Sequence, residues 1–416
     1  SRQVKNGSLF LAIKGERVDG HDFIEKCFAQ GAVCALCEKA PENATKPCIV
    51  VPSTLDAVKK IGRAYREKFD IPVIGISGSV GKTSTKEMLY AVLSQKFKTH
   101  KTQGNLNNEL GVPLTLLSMP EDTEAAVIEM GISDFGEMTR LSEMVQPTIC
   151  VLTIIGECHL ENLGDRDGVL KAKTEMFKNA CENADFILNG DDDKLSTVKT
   201  VNGKKPVFFG LDAKNDFYAK NIKNSGDGKV LATLCFDNNN IDVEIPAIGT
   251  YMVTNALAAA AAGKLLGLTD EEIANGVASY KTVGSRANVI NTGKIKIIDD
   301  CYNANPTSVR ASLDTLSNLD GRKVAILGDM KELGSEELKL HFDTGVYAKS
   351  KGIGTVITVG ELAKELAKGA DGKAFDTIED AKPEILKTIK SGDVVLVKAS
   401  HSMQFENIVE FLKQNF

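Results

Sequence analysis

Residues 73–84 read VIGISGSVGKTS, and the interpretation of the whole chain begins with this stretch. Its first four residues form an apolar run typical of a buried strand. A glycine-bordered turn follows, and then Met88, Leu89, Val92 and Leu93 recur at the spacing of one helix face. A strand, a glycine turn and a helix in this order are the setting of a phosphate-binding loop, or P-loop.

Each residue type in this turn has a chemical reason. Gly78 and Gly81 let backbone N–H groups approach phosphate oxygens. Lys82 brings a mobile positive charge to the β- and γ-phosphates, and Thr83 a hydroxyl to Mg²⁺. The full motif has a glycine where Ile76 stands, so an ordinary glycine turn remains the alternative. The predicted nucleotide-binding residues of the loop are Gly78, Ser79, Gly81, Lys82, Thr83 and Ser84.

The composition indicates a multi-domain globular protein. Its 416 residues, 43% of them hydrophobic, suffice for about three domains with a core each. Fifty Lys and Arg residues against fifty-six Asp and Glu residues give a net charge of −6, and the two signs are interspersed along the chain. This pattern favours small molecules as binding partners over nucleic acid or an anionic membrane. No run of eighteen apolar residues occurs and residues 1–5 contain no secretion signal, so we expect a cytoplasmic protein without membrane insertion.

Short β-branched runs alternate with stretches of helical period, which predicts an α/β fold with mainly parallel sheets. We predict three domains: a small α/β domain at 1–70, a central doubly wound sheet of P-loop type at 71–284, and a Rossmann-like α/β domain at 285–416. The predicted strands lie at 9–13, 32–36, 49–51, 73–76, 125–130, 150–155, 186–188, 295–298, 324–327, 356–359 and 394–397, and an alanine-rich helix at 255–266.

The apolar spacing in residues 405–412 predicts an amphipathic helix near the end of the sequence. Phe405, Ile408, Val409 and Leu412 recur at i, i+3, i+4 and i+7. We expect this face to dock on the sheet of its own domain.

Nine cysteines, an odd number, lie mostly in apolar runs, where a thiol acts as a small hydrophobe. Cys34 and Cys37 have the spacing of zinc ligands, but a structural zinc needs four ligands and no second such pair occurs. We interpret both as buried strand residues.

Glu129 and His159 are candidate Mg²⁺ ligands. Both follow predicted strands, and the carboxyl ends of parallel strands gather ligands at the edge where the P-loop lies. Mg²⁺ prefers oxygen, so Glu129 suits it, whereas histidine is an unusual partner. A solvated loop acid and a structural histidine are the alternatives at this point.

Several stretches resemble the Mur ligase family, in order along nearly the whole chain. The most specific are NLNNELGVP at 105–113 and GDMKELG at 328–334, which are similar to the branch that adds D-alanyl-D-alanine. The other similar stretches are residues 1–10, 15–23, 78–84, 171–177, 300–306 and 397–400.

The resemblance implies domains for a uridine nucleotide, for ATP and for the incoming amino component. It implies that ATP phosphorylates the terminal carboxylate of UDP-N-acetylmuramoyl-tripeptide, and that D-alanyl-D-alanine attacks the acyl phosphate to form the pentapeptide precursor of peptidoglycan. The implied cofactors are ATP and two Mg²⁺ ions, and we expect a monomer. A sibling ligase that adds one diamino acid, and a P-loop regulatory ATPase, remain the alternatives.

The resemblance also implies catalytic and metal-binding residues. Lys173 matches a lysine that the family modifies to a carbamate, which requires burial to lower the amine pKa so that the neutral form captures CO₂. A solvated surface lysine is the alternative. The implied catalytic residues are Lys82, Glu129, His159, Lys173 and Arg286, and the implied Mg²⁺ ligands are Thr83, Glu129, His159 and Lys173.

Substrate contacts follow from the same resemblance. Asn255 is expected at the adenine, Arg286 at the γ-phosphate and Asp300 near the nucleotide, although Arg286 could equally be a linker charge. Asn107 and Asn108 could instead brace a turn. The implied substrate contacts on the peptide and dipeptide side are Asn107, Asn108, Asn303, Asn305, Asp329, Glu332, Lys398 and Ser400, and the candidates for the uridine side are Ser8, Arg2 and Asp22.

The sequence departs from the family pattern in three places. Residues 249–252 read GTYM where the family usually has Gly-Arg-His-Asn. His401 stands where an arginine is expected, and because imidazole lacks the bidentate fork of a guanidinium, we expect altered binding of the dipeptide carboxylate. The chain begins inside the first motif, so we expect a short upstream segment to be absent.

Overall fold

The structure is a computed structural model that describes residues 4–15, 18–225 and 228–416. Arg2, one of the predicted uridine contacts, lies outside the described residues. Four sheets form within the described ranges, and three of them belong to successive α/β units. None of the helices described there has both the length and the apolar character needed to cross a lipid bilayer.

The first unit is a small parallel sheet covered by one helix. It contains β1 (Leu9–Leu11), α1 (Ile24–Ala29), β2 (Cys34–Cys37), β3 (Cys48–Val50) and α2 (Thr54–Arg66), with the strands in the order β1-β2-β3. Cys37 is buried and Cys34 half-buried in β2, which confirms their interpretation as strand residues. Helix α2 packs elsewhere, since Arg66 Nε donates to the carbonyl of Val145, 2.9 Å away in the next unit.

The central unit is a parallel six-stranded sheet in the order β5-β6-β4-β7-β8-β9. Its elements are β4 (Val73–Ser77), α3 (Lys82–Leu93), β5 (Thr99–Lys101), α4 (Gly111–Leu117), β6 (Ala125–Glu129), α5 (Glu137–Val145), β7 (Ile149–Leu152), α6 (Leu160–Leu163), α7 (Arg166–Thr174), β8 (Asp185–Asn189) and β9 (Val207–Phe209).

Alternate side chains of β4 enter two different cores. Ile74 and Ile76 pack with α3, whereas Val73 packs on the opposite face with α5 and α7. Because successive strand residues point to opposite faces, a sheet covered on both sides has continuous apolar strands. The predicted doubly wound α/β sheet is confirmed.

An antiparallel sheet, absent from the sequence-based prediction, covers one side of the central unit. It consists of β10 (Tyr218–Ser225), β11 (Lys229–Phe236) and β12 (Asn239–Ile245), followed by α8 (Tyr251–Leu265) and α9 (Asp270–Ala278). Asp237 and Asn238 join β11 to β12 with φ of 44° and 63°. Helix α8, the predicted alanine-rich helix, begins four residues before position 255 and its alanines are fully buried beside α3.

The last unit is a second six-stranded sheet in the order β13-β14-β18-β15-β16-β17, in which only the β13–β14 pair is antiparallel. Its elements are β13 (Asn288–Asn291), β14 (Lys296–Asp299), α10 (Pro306–Ser317), β15 (Arg322–Gly328), α11 (Glu337–Ser350), β16 (Thr355–Val359), α12 (Ala363–Ala370), β17 (Lys373–Phe375), α13 (Ile378–Thr388), β18 (Asp393–Lys398) and α14 (Glu406–Asn415). Short 3-10 helices lie at Gly20–Phe23, Glu175–Asn179, Leu195–Thr197, Gly334–Glu336 and His401–Met403.

The predicted face of the last helix is confirmed. Phe405, Ile408, Val409 and Leu412 are buried in one core with β14, β15 and β18. The domain boundaries at 70 and 284 remain predictions.

Candidate active site

Three strand ends meet at one edge of the central sheet. Strand β4 lies between β6 and β7, and the three strands end at Ser77, Glu129 and Leu152. Because the strands are parallel, the segments that follow them enclose one cavity, of 510 Å³, which residues of the last unit also line. The predicted site residues that line it are Ser79, Gly81, Lys82, Thr83, Ser84, Asn107, Asn108, Glu129, His159, Asn255, Arg286, Asp300, Asn303, Asn305 and Lys398.

The P-loop is a tight bend between β4 and α3. Gly78 and Gly81 adopt φ of +147° and +86°, which favour glycine. A Cβ on Gly78 would lie 1.9 Å from Oγ1 of Thr153, so the close approach of the segment after β7 also requires glycine. Ile76, at the position of the missing motif glycine, belongs to β4 and is fully buried. The loop therefore starts two residues later, at Gly78.

Lys82 opens α3 and points back into the bend. Its Nζ donates to the carbonyl of Gly78 at 2.6 Å. Desolvation lowers the pKa of Lys82, while Cys158 and Glu129 raise it. A phosphate in the bend would supply the missing counter-charge next to this amine.

Glu129 is the centre of a polar cluster behind the P-loop. Its carboxylate is buried and accepts hydrogen bonds from Oγ1 of Thr83 at 3.0 and 3.1 Å and from Nδ2 of Asn107 at 2.7 Å. The hydroxyl of Thr83 and the carboxylate of Glu129 are the oxygen donors that Mg²⁺ prefers, so these residues fit the ion.

Lys86 is a functional candidate that the sequence analysis missed. It is fully buried, with Nζ 3.5 Å from Oε2 of Glu129 and 3.3 Å from Oε1 of Glu87, and it donates to the carbonyl of Gly104 at 3.2 Å. Lys101 pairs with the other oxygen of Glu87. The available signal was the spacing of four residues between Lys82 and Lys86, which puts both on one helix face.

His159 connects the central and last units. Its Nδ1 lies 2.6 Å from Oε2 of Glu332, and this hydrogen bond lowers the pKa of Glu332. Both residues have positive φ, 52° and 65°. Non-glycine residues in this region cluster at functional sites, where the surrounding structure holds them in place.

Lys173 lies behind the cavity on α7 and is 1% exposed. Its pKa is lowered to about 8, mainly by burial and also by the charge of Lys82, while Cys158 opposes the shift. Cys158 in turn donates its thiol to Oγ of Ser79 in the P-loop, at 3.0 Å. Lys173 is therefore buried next to the nucleotide site rather than solvated.

The last unit contributes a network around Asp300. Oδ2 of Asp300 accepts hydrogen bonds from Nζ of Lys398 at 2.7 Å and from Oγ of Ser312 at 2.6 Å, and Oδ1 accepts from the N–H of Ala287 at 3.1 Å. Lys398 also donates to the carbonyl of Asn303 at 2.9 Å. Asp300 thus ties the start of the last unit to the wall of the cavity.

Three asparagines of the cavity have partners within the chain. Oδ1 of Asn108 accepts from the N–H of Gly111 at 2.8 Å, so this residue braces the turn before α4. Oδ1 of Asn305 caps α10 through a hydrogen bond from the N–H of Ser308 at 2.8 Å. Oδ1 of Asn255 accepts from Thr85 at 2.9 Å, beneath the P-loop.

Other predicted residues lie outside the cavity lining. Asp329 is buried and accepts from the first N–H of α12, that of Ala363, at 2.8 Å, and Ser400 accepts from the N–H of Lys331 at 2.9 Å. Oγ of Ser8 accepts from the N–H of Lys5 in the first unit. The full set outside the lining is Ser8, Asp22, Gly78, Lys173, Asp329, Glu332 and Ser400.

Three family models match successive parts of the chain. Residues 76–263 match the Mur ligase middle domain, residues 285–401 the Mur ligase glutamate ligase domain, and residues 1–67 the Mur ligase family catalytic domain. The chain belongs to the Mur ligase family. The resemblance stated from the sequence motifs is thereby confirmed.

This Mur ligase is similar to curated proteins over nearly its full length. The UDP-N-acetylmuramoyl-tripeptide--D-alanyl-D-alanine ligase of Bacillus subtilis (strain 168) is 37% identical, with 99% of this chain and 92% of that protein covered. The ligase of the same name from Escherichia coli (strain K12) is 35% identical, with 100% and 93% covered.

Solved structures agree with the three-domain architecture of this Mur ligase. MurF from Acinetobacter baumannii matches it with a TM-score of 0.93 and 33% identity, over 99% of this chain and 92% of that one. The MurF ligase from Thermotoga maritima in complex with ADP matches with a TM-score of 0.90 and 31% identity, over 100% and 96%.

Proposed function

We propose that this Mur ligase uses ATP to join D-alanyl-D-alanine to UDP-N-acetylmuramoyl-tripeptide in the assembly of peptidoglycan precursor. One observation carries the proposal: Lys82, Thr83 and Glu129 of the central unit and Arg286 next to the last unit face the same cavity. The names of the relatives from B. subtilis and E. coli support the choice of both substrates.

The cavity suits phosphoryl transfer to a carboxylate. A carboxylate is a poor electrophile, and transfer of a phosphoryl group requires its spread negative charge to be held by cations in fixed positions. Lys82 in the P-loop and Arg286 supply two such cations. An oxygen of the tripeptide carboxylate attacks the γ-phosphorus, and ADP leaves. The neutral amine of D-alanyl-D-alanine then attacks the acyl carbon, the C–O bond to the phosphate breaks so that phosphate leaves with that oxygen, and the nitrogen releases a proton as the amide forms.

Thr83, Glu129 and His159 are the residues that would hold Mg²⁺. Bound there, the ion would neutralise phosphate charge. The hydrogen bonds of Thr83 and Asn107 to Glu129 fix the orientation of the carboxylate, and Lys86 offsets its negative charge.

Lys173 is the proposed site of a carbamate. Its burial and its pKa of about 8 leave about a tenth of the amine neutral at pH 7, and only the neutral amine reacts with CO₂. The carbamate would add an anionic pair of oxygens beside the P-loop, for a second Mg²⁺ ion.

The remaining substrate contacts are proposals of the same kind. The hydrogen bond from Asn107 to Glu129 supports a role for Asn107 in binding the tripeptide near its carboxylate. Asn303 is exposed, which supports a role in binding substrate on the side of the cavity formed by the last unit. The nine cysteines are free thiols. Free thiols are usual in cytoplasmic proteins, which supports the predicted cytoplasmic location. Asp329, Glu332 and Ser400 remain predicted contacts of peptide or dipeptide, and Ser8 remains a predicted contact of the uridine side.

Product analysis tests this function against its rivals. The enzyme is incubated with ATP, Mg²⁺, UDP-N-acetylmuramoyl-tripeptide and either D-alanyl-D-alanine or diaminopimelate, and phosphate release and product mass are followed. We expect stoichiometric phosphate and a product extended by the dipeptide only. A product extended by the diamino acid would favour a sibling ligase, and phosphate release without either co-substrate would favour a regulatory ATPase.

A matched pair of variants links the product to the cavity. Lys82→Ala is expected to abolish ligation because the γ-phosphate loses its mobile cation. Lys349→Ala removes a lysine that is exposed on α11 and lies outside the cavity, and it should retain full activity. Equal activity of the two variants would contradict the assignment of the P-loop.

A further inference from the structure

The guanidinium of Arg286 rests on an aromatic ring. Its central carbon lies 3.7 Å from the centroid of the Tyr302 ring, within the range of a strong cation–π contact. Both side chains line the cavity and are half-buried. Among the described residues, no carboxylate pairs with Arg286 and no hydrogen bond engages its guanidinium. The ring is therefore its principal directional partner.

A ring face is a suitable support for an arginine that must bind phosphate. A carboxylate partner would occupy the N–H donors and cancel the charge, whereas a π face attracts the cation and leaves all five N–H donors free in the plane of the guanidinium. Tyr302 thus restricts where the guanidinium lies without competing with a phosphate for it.

The backbone around the pair is also fixed. The N–H of Tyr302 donates to the carbonyl of Ser285 at 3.1 Å, and the N–H of Ala287 donates to Oδ1 of Asp300. These two bonds attach the segment that carries Arg286 to the segment that carries Tyr302. The ring of Tyr302 also stacks with His401, at 5.7 Å between centroids and 30° between planes.

We propose that Tyr302 is a positioning residue that holds the guanidinium of Arg286 toward the γ-phosphate of ATP. This inference rests on the proposed function only for the identity of the nucleotide. Tyr302 acts through Arg286, so its contribution should appear with a triphosphate and vanish when Arg286 is absent. The ring face carries the effect, and the hydroxyl does not.

Calorimetric titration of the full chain with ADP and with a non-hydrolysable ATP analogue tests the inference. Tyr302→Leu removes the ring and is expected to weaken binding of the analogue about 3- to 30-fold, in line with one cation–π contact, while ADP binding changes less than about twofold. Tyr302→Phe keeps the ring and should bind both nucleotides like the unaltered protein. Tyr347→Leu removes a ring that contacts Lys351 outside the cavity and serves as the matched control, with no change expected.

A double variant separates positioning from direct contact. Arg286→Ala with Tyr302→Leu should bind the analogue as weakly as Arg286→Ala alone, because both changes remove one interaction. Additive losses, an equal loss of ADP and analogue binding in Tyr302→Leu, or unchanged analogue binding would each overturn the inference. Thermal melting of every variant monitors folding, and if Tyr302→Leu unfolds, Tyr302→Met, which also removes the ring, takes its place in the same comparison.

The two proposals fail in different ways. If the unaltered protein binds the analogue but forms no pentapeptide product, the proposed function fails while the binding test of Tyr302 still stands. If it forms the product and Tyr302→Leu binds the analogue normally, the inference alone is overturned.

Discussion

Lys173 is far more buried than its polar helix indicates. The sequence shows a lysine on a polar helix, yet the side chain is 1% exposed and has no hydrogen-bond partner among the described residues. Moving an ammonium group out of water disfavours its charged form, which explains why the pKa falls to about 8. The resemblance supplied the carbamate hypothesis, and the burial supplies its physical basis.

The pKa of Lys173 predicts how the carbamate depends on pH. Below about pH 8 the neutral fraction falls tenfold per pH unit, so the carbamate signal in ¹³C NMR with labelled bicarbonate should rise from pH 6 to 8 and then level off. Lys173→Ala should lose this signal and most activity, and short carboxylic acids should partly restore the activity. An active Lys173→Ala enzyme, indifferent to added acids, would contradict the hypothesis.

Lys86 gives a prediction about stability. Removing one partner of a buried ion pair leaves an uncompensated charge, so Lys86→Met should destabilise the central unit by about 3 kcal/mol. Glu87 keeps its pair with Lys101, so the charge left uncompensated is that of Glu129, and Lys86→Met with Glu129→Gln should recover part of this loss. Urea unfolding measures both variants. A double variant less stable than Lys86→Met would show that the ion pair is not the source of the effect.

A neutral histidine on α11 holds the backbone of the 328–334 segment in place. Nε2 of the buried His341 accepts from the N–H of Met330 at 2.9 Å, and Nδ1 donates to the carbonyl of Glu337 at 2.6 Å. Burial lowers the pKa of His341. The segment carries Glu332, the partner of His159, so its order is linked to the candidate active site.

The direction of this shift predicts loss of stability in acid. The folded state holds fewer protons than the unfolded state between the lowered pKa and the unfolded value of about 6.5, so stability is full above pH 6.5 and decreases as the pH falls below it. The slope for one histidine is at most about 1.4 kcal/mol per pH unit. Calorimetric melting at pH 7.5 and 5.5 should show a smaller pH difference for His341→Gln than for the unaltered protein. An equal difference would contradict this assignment.

The parallel strands could be predicted from sequence because the apolar pattern that identifies them lies within each strand. A strand buried on both faces is a continuous apolar run, and β4, β6, β15 and β18 differ from prediction by at most two residues at either end. Strand β7 was predicted at 150–155 but ends at Leu152, because the following backbone turns to the P-loop, where the N–H of Ser79 donates to the carbonyl of Ile154 at 2.7 Å. Ser79 and Ile154 are far apart in sequence, so the apolar pattern alone could not predict where β7 ends.

The antiparallel sheet was missed for a different reason. Strand β10 is largely polar and exposed, so it lacks an apolar pattern. Its neighbours had a usable signal: Asp237 and Asn238 tolerate positive φ and form a two-residue hairpin turn between β11 and β12. In the candidate site, Lys86 and Tyr302 were missed because their roles come from partners distant in sequence, Glu129 and Arg286.

The cavity is built from separate units of the chain. Arg286 and the residues after Asp300 meet the P-loop there, and the segment between α9 and β13 contains Gly284 at φ +61°, with open space around it. Such a segment can act as a hinge, because its φ and ψ angles can change when the units move relative to each other. The contact of His159 with Glu332 fixes one relative position of the units.

This arrangement predicts closure when substrates bind. Solution X-ray scattering should show a smaller radius of gyration with a non-hydrolysable ATP analogue and tripeptide substrate than without ligands, because the ligands engage more than one unit. Gly284→Pro fixes φ near −65° and should reduce this change, since the observed φ is positive. Identical dimensions with and without ligands would count against closure.

We infer that the P-loop directs the γ-phosphoryl group of ATP to the carboxylate of the tripeptide. Oxygen-isotope transfer tests this step: the tripeptide substrate is labelled with ¹⁸O in that carboxylate, and the phosphate released during ligation is analysed by mass spectrometry. Attack by the carboxylate on the γ-phosphorus predicts one ¹⁸O atom in each phosphate formed with the pentapeptide product. Unlabelled phosphate accompanying the product would show that the carboxylate does not attack the γ-phosphorus.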